Sequence, residues 1–139
     1  MIGDNNRQVL IQYRLDQAKA TVSEAELLFN HNKYRAAVNR IYYGMFYCLL
    51  ALGNKFRFET SKHSQLIGWF NKNFIKEKKI DQKYGKILRE AFKARRQGDY
   101  DAFIDFSSDD VLKRFEDMKD FINTIKKYIF EYDKGIHQL

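Results

Sequence analysis

Residues 34–52 read YRAAVNRIYYGMFYCLLAL. The stretch is apolar and aromatic almost throughout, yet Arg40 stands in its middle. A guanidinium keeps its charge and is almost never fully buried unpaired. Whatever packs around this segment must therefore give Arg40 a partner or aim it at a cleft. Tyr43 and Tyr47 follow at i+3 and i+7, so on a helix all three lie on one stripe. Tyr42 and Phe46, themselves at i+4 spacing, fall on another face and read as core. The stripe is either a structural anchor, with Arg40 paired to an acidic residue such as Asp99, or the lip of a polar pocket. The sequence leaves both open.

Working outward, helical periodicity continues on both sides. Leu15, Ala18, Val22, Ala25 and Leu28 or Phe29 mark one face of a first helix from about Gln8 to His31. The second runs from about Lys33 to Leu52, with Gly53 as its expected stop. Ser61 is the expected cap of a third, from about Lys62 to Lys78, with Leu66, Phe70 and Phe74 inward. Asp81 caps a fourth that ends near Gln97 with Gly98 beyond it, and Tyr84, Ile87, Leu88, Ala91 and Phe92 face inward. A fifth starts near Ser107 or Ser108, and there Val111, Phe115, Met118, Ile122, Ile125 and Ile129 keep a 4,3,4,3,4 rhythm. Asp109 and Asp110 suit its positive dipole end. No proline, strand alternation, repeat or linker interrupts the pattern. The expected fold is one all-α domain over residues 1–139, a five-helix, up-down antiparallel bundle with a frayed tail at 133–139.

Composition narrows the class. The chain has 139 residues, 45% of them hydrophobic and 16% aromatic, enough for one substantial core. Arg40 interrupts the best candidate for a membrane span, and the N-terminus MIGDNNRQ carries no signal-like apolar region, so the expected location is the cytoplasm, with no membrane contact. The single cysteine, Cys48, excludes an intrachain disulfide framework and reads as core. No zinc-type Cys/His spacing and no glycine-rich phosphate loop is present, so no metal or cofactor is expected. Charge is uneven: residues 61–98 hold 11 Lys/Arg against 3 Asp/Glu, whereas residues 99–139 hold 6 against 10. A basic block of this kind suits a polyanion or merely forms a solvated face.

Three short patterns, in order, carry a family resemblance. The first is Arg40-Ile41-Tyr42-Tyr43-Gly44-Met45-Phe46-Tyr47, preceded by Tyr34, Ala36 and Ala37. The second is Lys62-His63 at a helix start. The third is Arg95 followed by Asp99-Tyr100. Together they resemble the HEPN domain family, in its branch of short standalone prokaryotic proteins associated with toxins and nucleotidyltransferases. The resemblance implies a helical bundle that usually forms a homodimer and binds nucleotide or RNA, and it implies a minimal nucleotidyltransferase as the partner in a two-gene module.

The resemblance implies that family ribonucleases of the metal-independent, toxin-like kind use an arginine and a histidine separated by about four to six residues, the arginine stabilising phosphate charge and the histidine moving a proton. Here Tyr47 stands seven residues after Arg40 and Tyr100 five after Arg95. Tyrosine is a poor base at neutral pH. Arg57 and His63 fit the spacing but cross an expected loop. The ligand-binding candidates are thus Arg40, Tyr43, Tyr47, His63, Arg95, Arg96, Asp99 and Tyr100, and any remaining catalysis would rest on Arg40, His63 and Arg95. Three outcomes follow: a nucleotide- or RNA-binding domain, a degenerate ribonuclease, or a protein-interaction module without ligand.

Overall fold

The computed structural model describes residues 3–132; the tail at 133–139, with His137, lies outside them. Five helices form an all-α bundle: α1 (Asp4–Asn30), α2 (Tyr34–Lys55), α3 (His63–Phe70, continued by a π-helical turn over Asn71–Ile75), α4 (Gln82–Tyr100) and α5 (Ser108–Tyr132). The apolar stretch at 34–52 becomes the central helix. α2 packs along α1 and also meets α3, α4 and α5. Tyr42, Met45, Leu49 and Leu52 are fully buried there, beside Met118, Phe121 and Ile125 of α5 and Leu88 of α4. Burying such side chains is worth about 1.5–3 kcal/mol each, and this is what holds the bundle together.

Helix boundaries are set by end chemistry as much as by periodicity. α1 starts earlier than the apolar pattern indicates, at Asp4. That carboxylate lies in the first turn and pairs with Arg7 at 3.2 Å and with Arg57, from the end of α2, at 3.0 Å. α2 does not stop at Gly53. It runs to Lys55 and closes with Arg57 in the left-handed region at φ 63°, where Phe58 N–H donates to Gly53 C=O (2.8 Å) and Arg57 N–H to Asn54 C=O (3.4 Å). Asn32 (φ 59°) and Lys78 (φ 59°) close α1 and α3 with the same paired bonds. These are Schellman motifs built without glycine at the left-handed position.

Three further expectations change. Ser61 is not the cap of α3: the helix opens after Lys62, with Thr60 Oγ1 accepting from Lys62 N–H at 3.1 Å. α3 proper ends at Phe70, and the π turn then widens the backbone while keeping Phe70 and Phe74 inward. Gly98 lies inside α4, not beyond it, and the space a side chain would take there is filled by the Phe106 ring and the Arg35 stem. Asp81 does cap α4, accepting from Lys83 N–H at 2.8 Å, and Ser107 Oγ accepts from Asp110 N–H at the start of α5. No described helix is long and apolar enough to cross a membrane.

Candidate nucleotide site

α2, α4 and the first turn of α3 meet at one aromatic cluster. Arg40, Tyr43 and Tyr47 follow the i, i+3, i+7 stripe of α2: the Arg40 guanidinium stands 4.9 Å from the Tyr43 ring centroid, and the Tyr43 and Tyr47 rings are 5.9 Å apart. Arg95, from the fourth turn of α4, approaches the Tyr43 ring from a second direction at 5.3 Å and donates from Nη2 to the Tyr43 hydroxyl at 3.1 Å. Two guanidinia therefore converge on one tyrosine. Arg95 also lies 2.9 Å from Asp99 Oδ2, one helical turn on. Its Nε forms no aligned hydrogen bond there, so the contact is electrostatic.

His63, the first residue of α3, completes the cluster. Its ring stacks on Phe46 at 4.0 Å and 7°, and Nδ1 is 2.7 Å from the Tyr42 hydroxyl. Burial, and then the nearby Arg95 charge, lower the His63 pKa from its usual range. Burial in turn pushes the Tyr42 phenol well above its ordinary value, so the hydroxyl keeps its proton. Tyr42 is wholly buried, and His63 Nδ1 is its sole hydrogen-bond partner among the described residues. The buried proton must be donated, so Tyr42 donates to Nδ1. Neutral His63 then carries its own proton on Nε2. In that tautomer the ring is a hydrogen-bond donor, suited to an anionic oxygen and not to proton abstraction.

The sequence candidates separate into two groups. Arg40, Tyr43, Tyr47, His63, Arg95 and Asp99 come together. Arg96 lies at the edge, 5.6 Å over the Phe92 ring, and Tyr100, 79% exposed, sits on the far side of α4 from Arg95. The proposed Arg40–Asp99 anchor does not form: Arg40 takes Asn39 Oδ1 (2.9 and 3.1 Å) and, at 3.8 Å, Glu24, while Asp99 belongs to Arg95. Arg57 is also not the partner of His63, since it reaches Asp4 of α1. Tyr42, Phe46 and Phe92, read as plain core, are the floor of the site. One signal could have found Tyr42: a tyrosine on an inward face brings a hydroxyl that needs a partner.

Arg40 is 30% exposed and its carboxylate partner is more open still. Arg40→Ala should therefore lose only about 0.5–1 kcal/mol in a denaturant titration, in the range of surface pairs and far from the ~3–5 kcal/mol of a buried pair.

His63 supplies a pH signature. Its folded-state pKa lies below the unfolded value of 6.5, so between the two the unfolded chain binds more protons. Its contribution to stability is present above pH 6.5 and is lost as pH falls through the lowered pKa. Thermal unfolding from pH 7.5 to 5 should show this acid loss, and His63→Gln should remove that component.

A family model described as HEPN domain matches residues 11–128. A Thermotoga maritima protein named "UPF0332 protein" is 32% identical over 125 residues, covering 90% of this chain and 95% of the relative. A Methanocaldococcus jannaschii protein named "Putative toxin MJ0142" is 34% identical over 115 residues, covering 83% and 78%. A second protein from that organism, "Putative toxin MJ0605", is 33% identical over 90 residues, covering 65% and 67%.

Proposed function

The chain belongs to the HEPN domain family, and from this membership we propose that it is a toxin-like domain that binds a nucleotide or RNA phosphate at the cluster of Arg40, Tyr43, His63 and Arg95. The observation that carries the reading is the convergence of two guanidinia on Tyr43 beside the His63 imidazole, whose Nδ1 is taken up by the Tyr42 hydroxyl. Guanidinium forks suit phosphate oxygens, and the half-buried rings of Tyr43 and Tyr47 offer faces for a base. The names of the Methanocaldococcus relatives support the toxin-like part of the proposal. The domain acts in the cytoplasm as a homodimer, with a minimal nucleotidyltransferase as its partner.

A ribonuclease reading has one specific observation in its favour: the fold brings His63 and Arg95 against the same two rings, Tyr42 and Tyr43, although they are distant in sequence. Against it stands the tautomer, which places a proton on the outward nitrogen of His63. A metal-free cleavage assay on single-stranded RNA, run with wild type and His63→Ala beside calorimetric titration with UMP and AMP, decides between the two. Measurable binding without cutting is expected. Robust cutting lost in His63→Ala would establish the ribonuclease, and absence of both binding and cutting would leave a protein-interaction module.

A further inference from the structure

Among the described residues four of the five cations of α5 are paired, Lys126 being the exception. Lys113, Arg114, Lys119 and Lys127 each have a carboxylate within 4 Å, at 3.0, 3.0, 3.2 and 3.8 Å. On α4 the pattern differs. Lys83 reaches Asp120 (3.6 Å) and Arg95 reaches Asp99, but Lys86, Arg89, Lys93 and Arg96 have no carboxylate within that distance among the described residues. These four follow one another at steps of three or four residues and are all solvent-facing or half-buried, so they form one stripe. At 1.5 Å per residue the stripe runs about 15 Å along the helix, long enough to face several phosphates of an extended strand.

Two aromatics lie at its end. Tyr100 continues the stripe by one more turn and is 79% exposed, and Phe103 is 96% exposed just beyond α4. Phe103 is held outward on a fixed turn. Arg35 of α2 donates to the carbonyls of Gly98, Asp101 (3.0 Å) and Ile104 (2.6 Å), and Asp101 Oδ1 accepts from Phe103 N–H at 2.9 Å. Arg96 covers the Phe92 ring, which packs 5.4 Å from Tyr42, so this end of the stripe abuts the site described above.

We propose that the exposed face of α4 is a track for single-stranded nucleic acid, with Lys86, Arg89, Lys93 and Arg96 along the phosphates and Tyr100 and Phe103 stacking unpaired bases. The proposal deepens the RNA-binding reading of the Arg95 site and rests on it. A stripe one side chain wide follows one backbone, and stacking on an exposed ring requires bases that are not already paired, so a single strand fits better than a duplex. The charge alone would also attract an acidic protein segment, but such a segment has no use for two bare rings.

The test uses a fluorescent uridine oligomer of about 12 nucleotides, a length within reach of such surfaces, and UMP, which is too short to leave the Arg95 site. Anisotropy is followed against salt for wild type, Lys86→Gln/Arg89→Gln/Lys93→Gln and Tyr100→Ser/Phe103→Ser. Removing three phosphate contacts should flatten the slope of log affinity against log salt by about 2 and weaken oligomer binding about tenfold or more. Removing the aromatics should weaken it about tenfold or more with the slope unchanged. UMP affinity should stay as in wild type for both variants.

An oligomer affinity and slope unchanged in the triple variant would overturn the track, and UMP binding in the same preparation would show that the site reading survives. Oligomer binding that depends on the stripe without any UMP binding would do the reverse. Polyglutamate competing as well as the oligomer, with Tyr100→Ser/Phe103→Ser without effect, would reassign the face to an acidic protein partner and overturn the proposal.

Discussion

Gly53→Ala should destabilise the protein by about 2–3 kcal/mol, although the residue is in a helix and alanine is the better helix former by ~1 kcal/mol. A Cβ at position 53 would stand 2.6 Å from the backbone carbonyl oxygen of Phe58. That oxygen is not the end of a flexible side chain. It is placed by the Schellman closure of α2, in which Phe58 N–H donates to Gly53 C=O itself. To relieve the clash the closing turn must move, which costs overpacking strain of about 1–3 kcal/mol and weakens a backbone hydrogen bond worth about 1 kcal/mol. The turn also carries Phe58, whose ring stacks on Trp69 of α3 at 4.9 Å and 6°. Chemical denaturation of wild type and variant measures the loss directly. A variant as stable as wild type would show that the α2–α3 connection yields freely at this point.

Arg95→Gln should weaken UMP binding by about ten- to a hundredfold, the loss expected when a charge-assisted contact to phosphate is removed. The same substitution should raise the His63 pKa part of the way back toward 6.5. The Arg95 charge is the second cause of its depression, and burial, the larger cause, remains. An NMR titration of the His63 ring reads the second effect without any ligand. The two results belong together: affinity lost with His63 unmoved would place Arg95 too far from the imidazole for one phosphate to meet both. Stability should change by no more than about 1–2 kcal/mol, because Arg95 is held by a single charge-assisted hydrogen bond to the Tyr43 hydroxyl and an i,i+4 pair to Asp99.

Periodicity was a good guide to the buried face of α5 and α3, less so for α1 and α4, where Val22, Ile87 and Phe92 are only half-buried. Val111, Phe115, Met118, Ile122, Ile125 and Ile129 of α5 are all inside, as are Leu66, Phe70 and Phe74 of α3, because burial on a helix depends only on a repeat of 3.6 residues. Asp81 was legible for a similarly local reason, a side-chain oxygen reaching an amide two residues on. Glycine was a poorer guide. At Gly53 and Gly98 the missing side chain admits a neighbour, the Phe58 carbonyl in one case and the Phe106 ring and Arg35 in the other, and neither residue ends a helix. The actual end of α2 is marked by Arg57, a residue type that carries no turn signal.

For the site, the primary sequence by itself determined the stripe of Arg40, Tyr43 and Tyr47, since residues three and four apart on a helix must adjoin. It also determined the absence of a histidine at family spacing after Arg40 or Arg95. Tertiary structure alone decided which side chains pair between helices. Arg40 met Glu24 of α1, Arg95 met the Tyr43 hydroxyl of α2, and Tyr42 met His63, 21 positions further along the chain. These pairings depend on how α1, α2, α3 and α4 pack, and hydrogen-bond and ion-pair energies fall off within a few ångströms. No spacing rule within one helix contains that information, and so the tautomer of His63, on which the binding reading rests, emerges only when the three helices are packed together.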